Sequence, residues 1–73
     1  MYQFEYLEHD VFTLEIKRRE NFNGQAGYIV EYIKDLLDEK YSIRVFPIGE
    51  NNVIEYFNGN NRIILKYKEI KNV

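Results

Sequence analysis

The chain has 73 residues, with 10 Lys or Arg, 12 Asp or Glu and a formal net charge of −2. That length provides for one domain, residues 1–73, with a small core and no second domain. The absence of cysteine excludes a disulfide framework, a thiol nucleophile and a cysteine-ligated metal, and suits a reducing, cytoplasmic setting.

No apolar run reaches the roughly 18 residues that a membrane-spanning helix needs, and no signal peptide opens the chain. No membrane partner is therefore expected. The weak charge points to no dominant electrostatic partner either. Asn, Ile, Lys and Tyr are abundant and Ala and Pro scarce, a usage that fits an AT-rich genome such as that of a low-GC bacterium or its phages.

In chain order, residues 2–8 alternate, with Tyr2, Phe4 and Tyr6 on one side and Gln3, Glu5 and Leu7 on the other. Residues 11–18 alternate as well, Phe12, Leu14 and Ile16 opposing Thr13, Glu15 and Lys17. Both patterns predict half-buried strands, joined by a tight hairpin at His9-Asp10. A polar connection over 18–26 follows, with Phe22 tucked under the end of a helix.

The helix is predicted over 27–41, with Asn23 as its N-cap. Ala26, Ile29, Val30, Ile33, Leu36 and Leu37 recur at the spacing of one buried stripe, within roughly 120° of one another. The opposite face carries Glu31, Asp35, Asp38 and Glu39, bracketed by Tyr28 and Tyr32. Asp38 and Glu39 sit in the last turn, where the helix dipole disfavours each by roughly 0.3 kcal/mol or more.

Three further strands are predicted at 42–48, 53–57 and 62–69. Pro47 cannot donate to a ladder, so the first of them lies at a sheet edge or ends there. Turns at 49–52 and 58–61 separate them, and residues 70–73 form a fraying tail. The order ββαβββ requires one helix to cover one face of a five-stranded sheet, a two-layer α+β domain. Its expected core is Phe4, Tyr6, Phe12, Leu14, Ile16, Ile29, Val30, Ile33, Leu36, Leu37, Ile43, Val45, Ile54, Tyr56, Ile63, Leu65 and Tyr67.

Two topologies compete. In one, the last three strands form an antiparallel meander. In the other, the last strand runs parallel to the first. This second arrangement resembles the β-grasp fold of ubiquitin-like domains in element order: hairpin, helix, then further strands in a chain of similar length. Conjugating members of that family end in Gly-Gly, whereas this chain ends Lys71-Asn72-Val73. The resemblance therefore implies a fold and no conjugation chemistry.

The sequence offers little for catalysis. His9 is the single histidine, which excludes a multi-histidine metal site. His9-Asp10 at an exposed hairpin tip reads as turn chemistry, since acid/base groups need a supporting shell. Arg18-Arg19 ahead of Asn23-Gly24-Gln25-Ala26-Gly27 could hold an anion at the helix start, but capping explains these residues better. No enzyme activity, cofactor or metal is expected.

Surfaces carry the functional reading. The uncovered sheet face is expected to show Leu7, Val11, Phe46, Ile48, Val53, Phe57 and Ile64, rimmed by Arg44, Arg62, Lys66 and Lys68. An apolar centre with a charged rim is the anatomy of a protein interface. Self-association and a foreign partner are both outlets. The same Phe46 and Phe57 among cations could instead stack and track single-stranded nucleic acid. The acidic helix face, with Tyr28 and Tyr32, could fill a basic groove made for nucleic acid. The expected function is thus a stand-alone protein-interaction module. It would act as an inhibitor or adaptor by surface occlusion, encoded by a phage or mobile element against a host nucleic-acid-handling or defence complex.

Overall fold

The computed structural model describes residues 1–71. Six elements follow one another: β1 (Tyr2–Asp10), β2 (Ile16–Gly24), α1 (Ala26–Asp38), β3 (Arg44–Ile48), β4 (Asn51–Asn58) and β5 (Asn61–Glu69). The strands form one antiparallel sheet in the order β2-β1-β5-β4-β3, with α1 packed on one face. The expected two-layer α+β architecture is therefore present.

Between the two topologies, the meander is the one formed. β5 pairs antiparallel with β1, from Tyr2↔Glu69 to Asp10↔Asn61, so the β-grasp arrangement is overturned. Local geometry explains the outcome. Two-residue turns at Gly49-Glu50 and Gly59-Asn60 join β3 to β4 and β4 to β5. Gly49 and Gly59 stand first in each turn with φ of 60° and 61°, a left-handed conformation that glycine adopts without steric penalty. Pro47 lies in the edge strand β3, as its missing N–H requires.

The end of the chain departs from the expected fraying. The Ile70 N–H donates to the Met1 carbonyl at 2.9 Å, so the ladder runs past β5. Asn72 and Val73 lie outside the described residues.

The second strand is the main correction. β2 starts at residue 16, not 11, and occupies most of the stretch read as a polar connection. Its register places Phe22 beside Phe4, where the two rings stack at 5.1 Å. That aromatic contact outweighs the alternation over 11–18. Phe12, Leu14 and Ile16 consequently leave the core and stand 76%, 70% and 55% exposed.

The helix is rotated relative to the predicted stripe by roughly 50°, half of one residue's step. Ile29, Tyr32, Ile33 and Leu36 pack on the core, while Val30 and Leu37 face solvent. Tyr28 sets this rotation by meeting Phe4 edge-on at 5.0 Å and Phe22 at 5.2 Å. The N-cap is Gln25, without a side-chain cap, because Asn23 belongs to β2. The helix stops at Asp38 rather than Tyr41, with left-handed Lys40 (φ 65°) turning the chain towards β3.

Strand phase elsewhere follows the alternation. Phe4, Ile54 and Leu65 are fully buried beneath α1 with Leu36, ringed by Tyr2, Tyr6, Tyr56 and Tyr67. Each such apolar side chain contributes about 1.5–3 kcal/mol by leaving water. Val45, expected in the core, is half-exposed because β3 is the outermost strand.

Gly24 closes this cluster. A Cβ there would stand 3.1 Å from Cε2 of Phe4, whose ring is held by neighbours and has nowhere to move. Gly24→Val should therefore destabilise the fold by about 1–3 kcal/mol despite the high β-propensity of valine. Urea denaturation measures it, and a midpoint equal to that of the parent would refute the packing argument.

Candidate interaction surfaces

The uncovered sheet face holds two cross-strand rows near its centre. One runs Phe46, Val53, Lys66, Glu5 and Asn21, the other Arg44, Glu55, Ile64, Leu7 and Arg19. Val53 and Ile64 are buried here without a second layer above them. Their neighbours in the rows close over them. Ile64, expected as a partner contact, is therefore unavailable. Phe46 is half-buried, and the Arg44 guanidinium lies 5.3 Å from its ring centroid. The exposed apolar residues left on the face, Ile48 and Phe57, sit in rows about 20 Å apart at the strand rise. The expected continuous apolar patch is absent among the described residues.

The rim charges are largely neutralised within the chain. Glu55 is only 4% exposed. Its carboxylate accepts hydrogen bonds from Arg44 Nη1 at 3.3 Å and from Arg62 Nε. Glu5 pairs with Arg19 at 3.4 Å and with Lys66 at 3.5 Å. Of the four cations proposed to track phosphates, Arg44, Arg62 and Lys66 are thus engaged with carboxylates. Lys68 makes no ion pair with a described residue.

On the helix, Glu31, Asp35, Asp38 and Glu39 are exposed as expected, with Lys34 among them. None of the four acids forms an ion pair with a described residue. Tyr28 stays 41% exposed beside this face, whereas Tyr32 is turned away from it. Tyr28 leans on Phe4 and Phe22, and Tyr32 packs against the core with its ring 6.1 Å from that of Tyr28. The Tyr32 hydroxyl is buried without a hydrogen-bond partner among the described residues. Burial drives its pKa far above the ordinary phenol range, and the nearby phenols of Tyr56, Tyr6 and Tyr28 add to the shift. Burial, with Tyr6, Tyr41 and Glu8 nearby, likewise pushes Tyr56 up to about 12.

The surface that sequence reasoning missed is the β1–β2 tip. Asp10 Oδ1 accepts the N–H groups of Phe12 and Thr13, both at 2.8 Å. These two backbone donors, that of Thr13 foremost, hold the Asp10 carboxyl below its usual range. Thr13 Oγ1 accepts the Glu15 N–H at 3.3 Å, and the Leu14 N–H reaches the Asp10 carbonyl at 3.0 Å. Leu14 is thereby fixed in the left-handed region at φ 62°, which disfavours an L-residue by roughly 1–2 kcal/mol. Its exposed side chain gains no burial to offset that strain. The available signal was Asp10 two and three residues ahead of Phe12 and Thr13, the spacing of a side chain that caps a turn. Asp10 Oδ1 is thus committed to its own backbone, and His9 Nδ1 lies 3.1 Å from the Asp10 carbonyl.

The arginines once placed near the helix start point elsewhere. Arg18 pairs with Glu20 at 2.9 Å over the Tyr6 ring, and Arg19 pairs with Glu5. Among the described residues no three His, Cys, Asp or Glu side chains gather as metal ligands, and no helix is long and apolar enough to cross a membrane. No protein-family model matches the chain, and neither curated proteins nor solved structures yield a match.

Two outcomes follow from these charges and phenols. Arg62→Met leaves the buried Glu55 carboxylate with only the largely exposed Arg44 and should destabilise by about 1–2 kcal/mol, discounted because Arg62 is itself a third exposed. In a Glu55→Leu background the same change should be nearly neutral. Equal effects in both backgrounds, read by urea melts, would deny the pairing. The tyrosines give a pH dependence. A phenol whose folded pKa is raised keeps its full stabilising contribution below the unfolded pKa of about 10 and loses it as pH climbs towards about 12 for Tyr56. Alkaline titration should therefore show tyrosinate absorbance growing together with loss of circular dichroism above about pH 10. Complete titration of every tyrosine near pH 10 in a folded chain would contradict it.

Proposed function

We propose that this chain is a small protein-interaction module, an inhibitor or adaptor that acts by occupying a partner's surface through the β1–β2 tip. The observation that carries the reading is Phe12 and Leu14, 76% and 70% exposed, on a turn locked by its own hydrogen bonds. A large aromatic side chain presented on a pre-ordered turn is the anchor type that dominates interface energetics. Strain retained at an exposed, non-packing residue supports a role outside the chain's own stability.

The acidic helix face supports a second point of contact. Tyr41, just beyond α1, packs on Tyr56 at 4.8 Å, and Tyr56 lies close to the turn into β5. The C-terminal acids of the helix therefore lie towards the same end of the sheet as the tip. A partner fitting both has an apolar cleft bordered by basic side chains, as proteins that handle nucleic acid present. Blocking such a surface in the cytoplasm, on behalf of a phage or mobile element, is the action we assign. Single-stranded nucleic acid is less favoured, because Arg44, Arg62 and Lys66 already have carboxylate partners.

Affinity capture from host extract with mass spectrometry tests this reading. The Phe12→Ser/Leu14→Ser variant should fold normally, since neither side chain is packed, and should lose partner capture by at least about tenfold. Asp35→Lys/Asp38→Lys should weaken capture and reduce its salt dependence. A tip variant that captures the same partner as well as the parent, or a parent that retains labelled single strands instead, would overturn the proposal.

A further inference from the structure

We infer that the upper end of the uncovered sheet face is a binding trough for a small hydroxylated anion of the sugar-phosphate class. This site is distinct from the tip and does not depend on it. A third cross-strand row carries the argument: Asn51 of β4, Lys68 of β5, Gln3 of β1 and Asn23 of β2. The register places these four residues side by side on one face, spanning about 14 Å at the usual strand separation. The adjacent row adds Lys66 and Asn21.

Two cavities open along these rows and share Gln3 and Lys68. Both are open grooves, the larger with a volume of about 630 Å³ and the smaller of about 160 Å³. The larger falls within the range of small-molecule sites. It also reaches Asn23, and the smaller reaches Asn21, Asn51 and Lys66.

The lining chemistry selects the ligand. An amide side chain offers both donors and an acceptor, the complement of a hydroxyl group. Those of Gln3, Asn21, Asn23 and Asn51 are committed to no hydrogen bond within the described chain, whereas Asn61 spends its amide on Glu8 at 3.2 Å. Lys68 is half-buried and has no carboxylate within ion-pair distance among the described residues. An ammonium without a paired carboxylate attracts an anion. Lys66, which shares Glu5 with Arg19, stands one row away to assist. Lys71 also lines the larger cavity, and Glu50 and Glu69 at its rim can accept hydrogen bonds from hydroxyl groups. Phosphate on Lys68 with hydroxyls over the amides satisfies every one of these groups. The trough is polar and open, so the affinity belongs to the millimolar range.

The test follows the side-chain amide resonances of the isotope-labelled protein during addition of glucose 6-phosphate, with inorganic phosphate and glucose as separate arms. Saturable shifts at Gln3, Asn21, Asn23 and Asn51 with glucose 6-phosphate, weaker ones with phosphate and none with glucose are expected. Lys68→Gln, which keeps most of the side chain's stem, should weaken binding roughly tenfold. Gln3→Ala should weaken binding of the sugar phosphate but not of phosphate. Absence of saturation up to about tenfold above the millimolar range, an unchanged affinity in Lys68→Gln, or phosphate binding as tightly as the sugar phosphate would overturn the assignment.

Discussion

The ring of Phe4 is the constraint on which the rest of the structure depends. It is wholly buried and touched from β2 by Phe22, from α1 by Tyr28 and from its own sheet by Tyr2 and Tyr67. A small domain has few places to gather this much apolar surface. Placing Phe22 on Phe4 fixes the β1–β2 register, since a one-residue slip would send Phe22 to the other face. Placing Tyr28 on both rings then fixes how α1 is rotated. Gly24 leaves the room that this close approach needs. From one aromatic contact follow the late start of β2, the exposure of Val30 and Leu37, and the release of residues 11–15 into a projecting turn.

The two faces of the sheet solve different problems. Beneath α1 the solution is aromatic packing, and the tyrosine hydroxyls it buries resist ionisation. On the other face no second layer exists, yet Val53, Glu55 and Ile64 are as buried as core residues. Both rows set charged residues beside the apolar ones. Arg44 and Arg62 converge on Glu55, and Lys66 and Arg19 converge on Glu5. The arginines serve the chain's own surface, and this removes them from any electrostatic reading. Lys68 stands apart at the end of the face near Asn51 and Gln3, with no ion pair to a described residue.

The tip shows the opposite balance. Its backbone is more tightly hydrogen-bonded than an exposed loop requires, while its side chains bury almost nothing. Asp10 and Thr13 hold the turn, and Leu14 accepts a conformation that leucine rarely adopts. Sheet packing accounts for the hairpin but not for a phenylalanine at its apex. On the function we propose, the order of the turn and the exposure of its apolar residues form a preformed contact.

The sequence by itself determined the element order, the two-layer α+β class, the phase of β1, β4 and β5, and that the strand with Pro47 either lies at an edge or ends there. Period-two alternation and glycine-led turns are local properties, legible without the rest of the chain. It also placed the helix and its four exposed acids, and it named Lys66 and Lys68 on the uncovered face. Tertiary structure alone decided where β2 begins, which stripe of α1 faces inward, and that β5 runs antiparallel to β1. It alone turned Tyr32 inward, buried Val53 and Ile64 on the uncovered face, and aligned Gln3, Asn23, Asn51 and Lys68 from four strands. Residues 11–18 alternate as well as any true strand, so pattern could not demote them. What demoted them was the stacking of Phe22 on Phe4 across eighteen residues of chain, an interaction that exists only once the two strands have met.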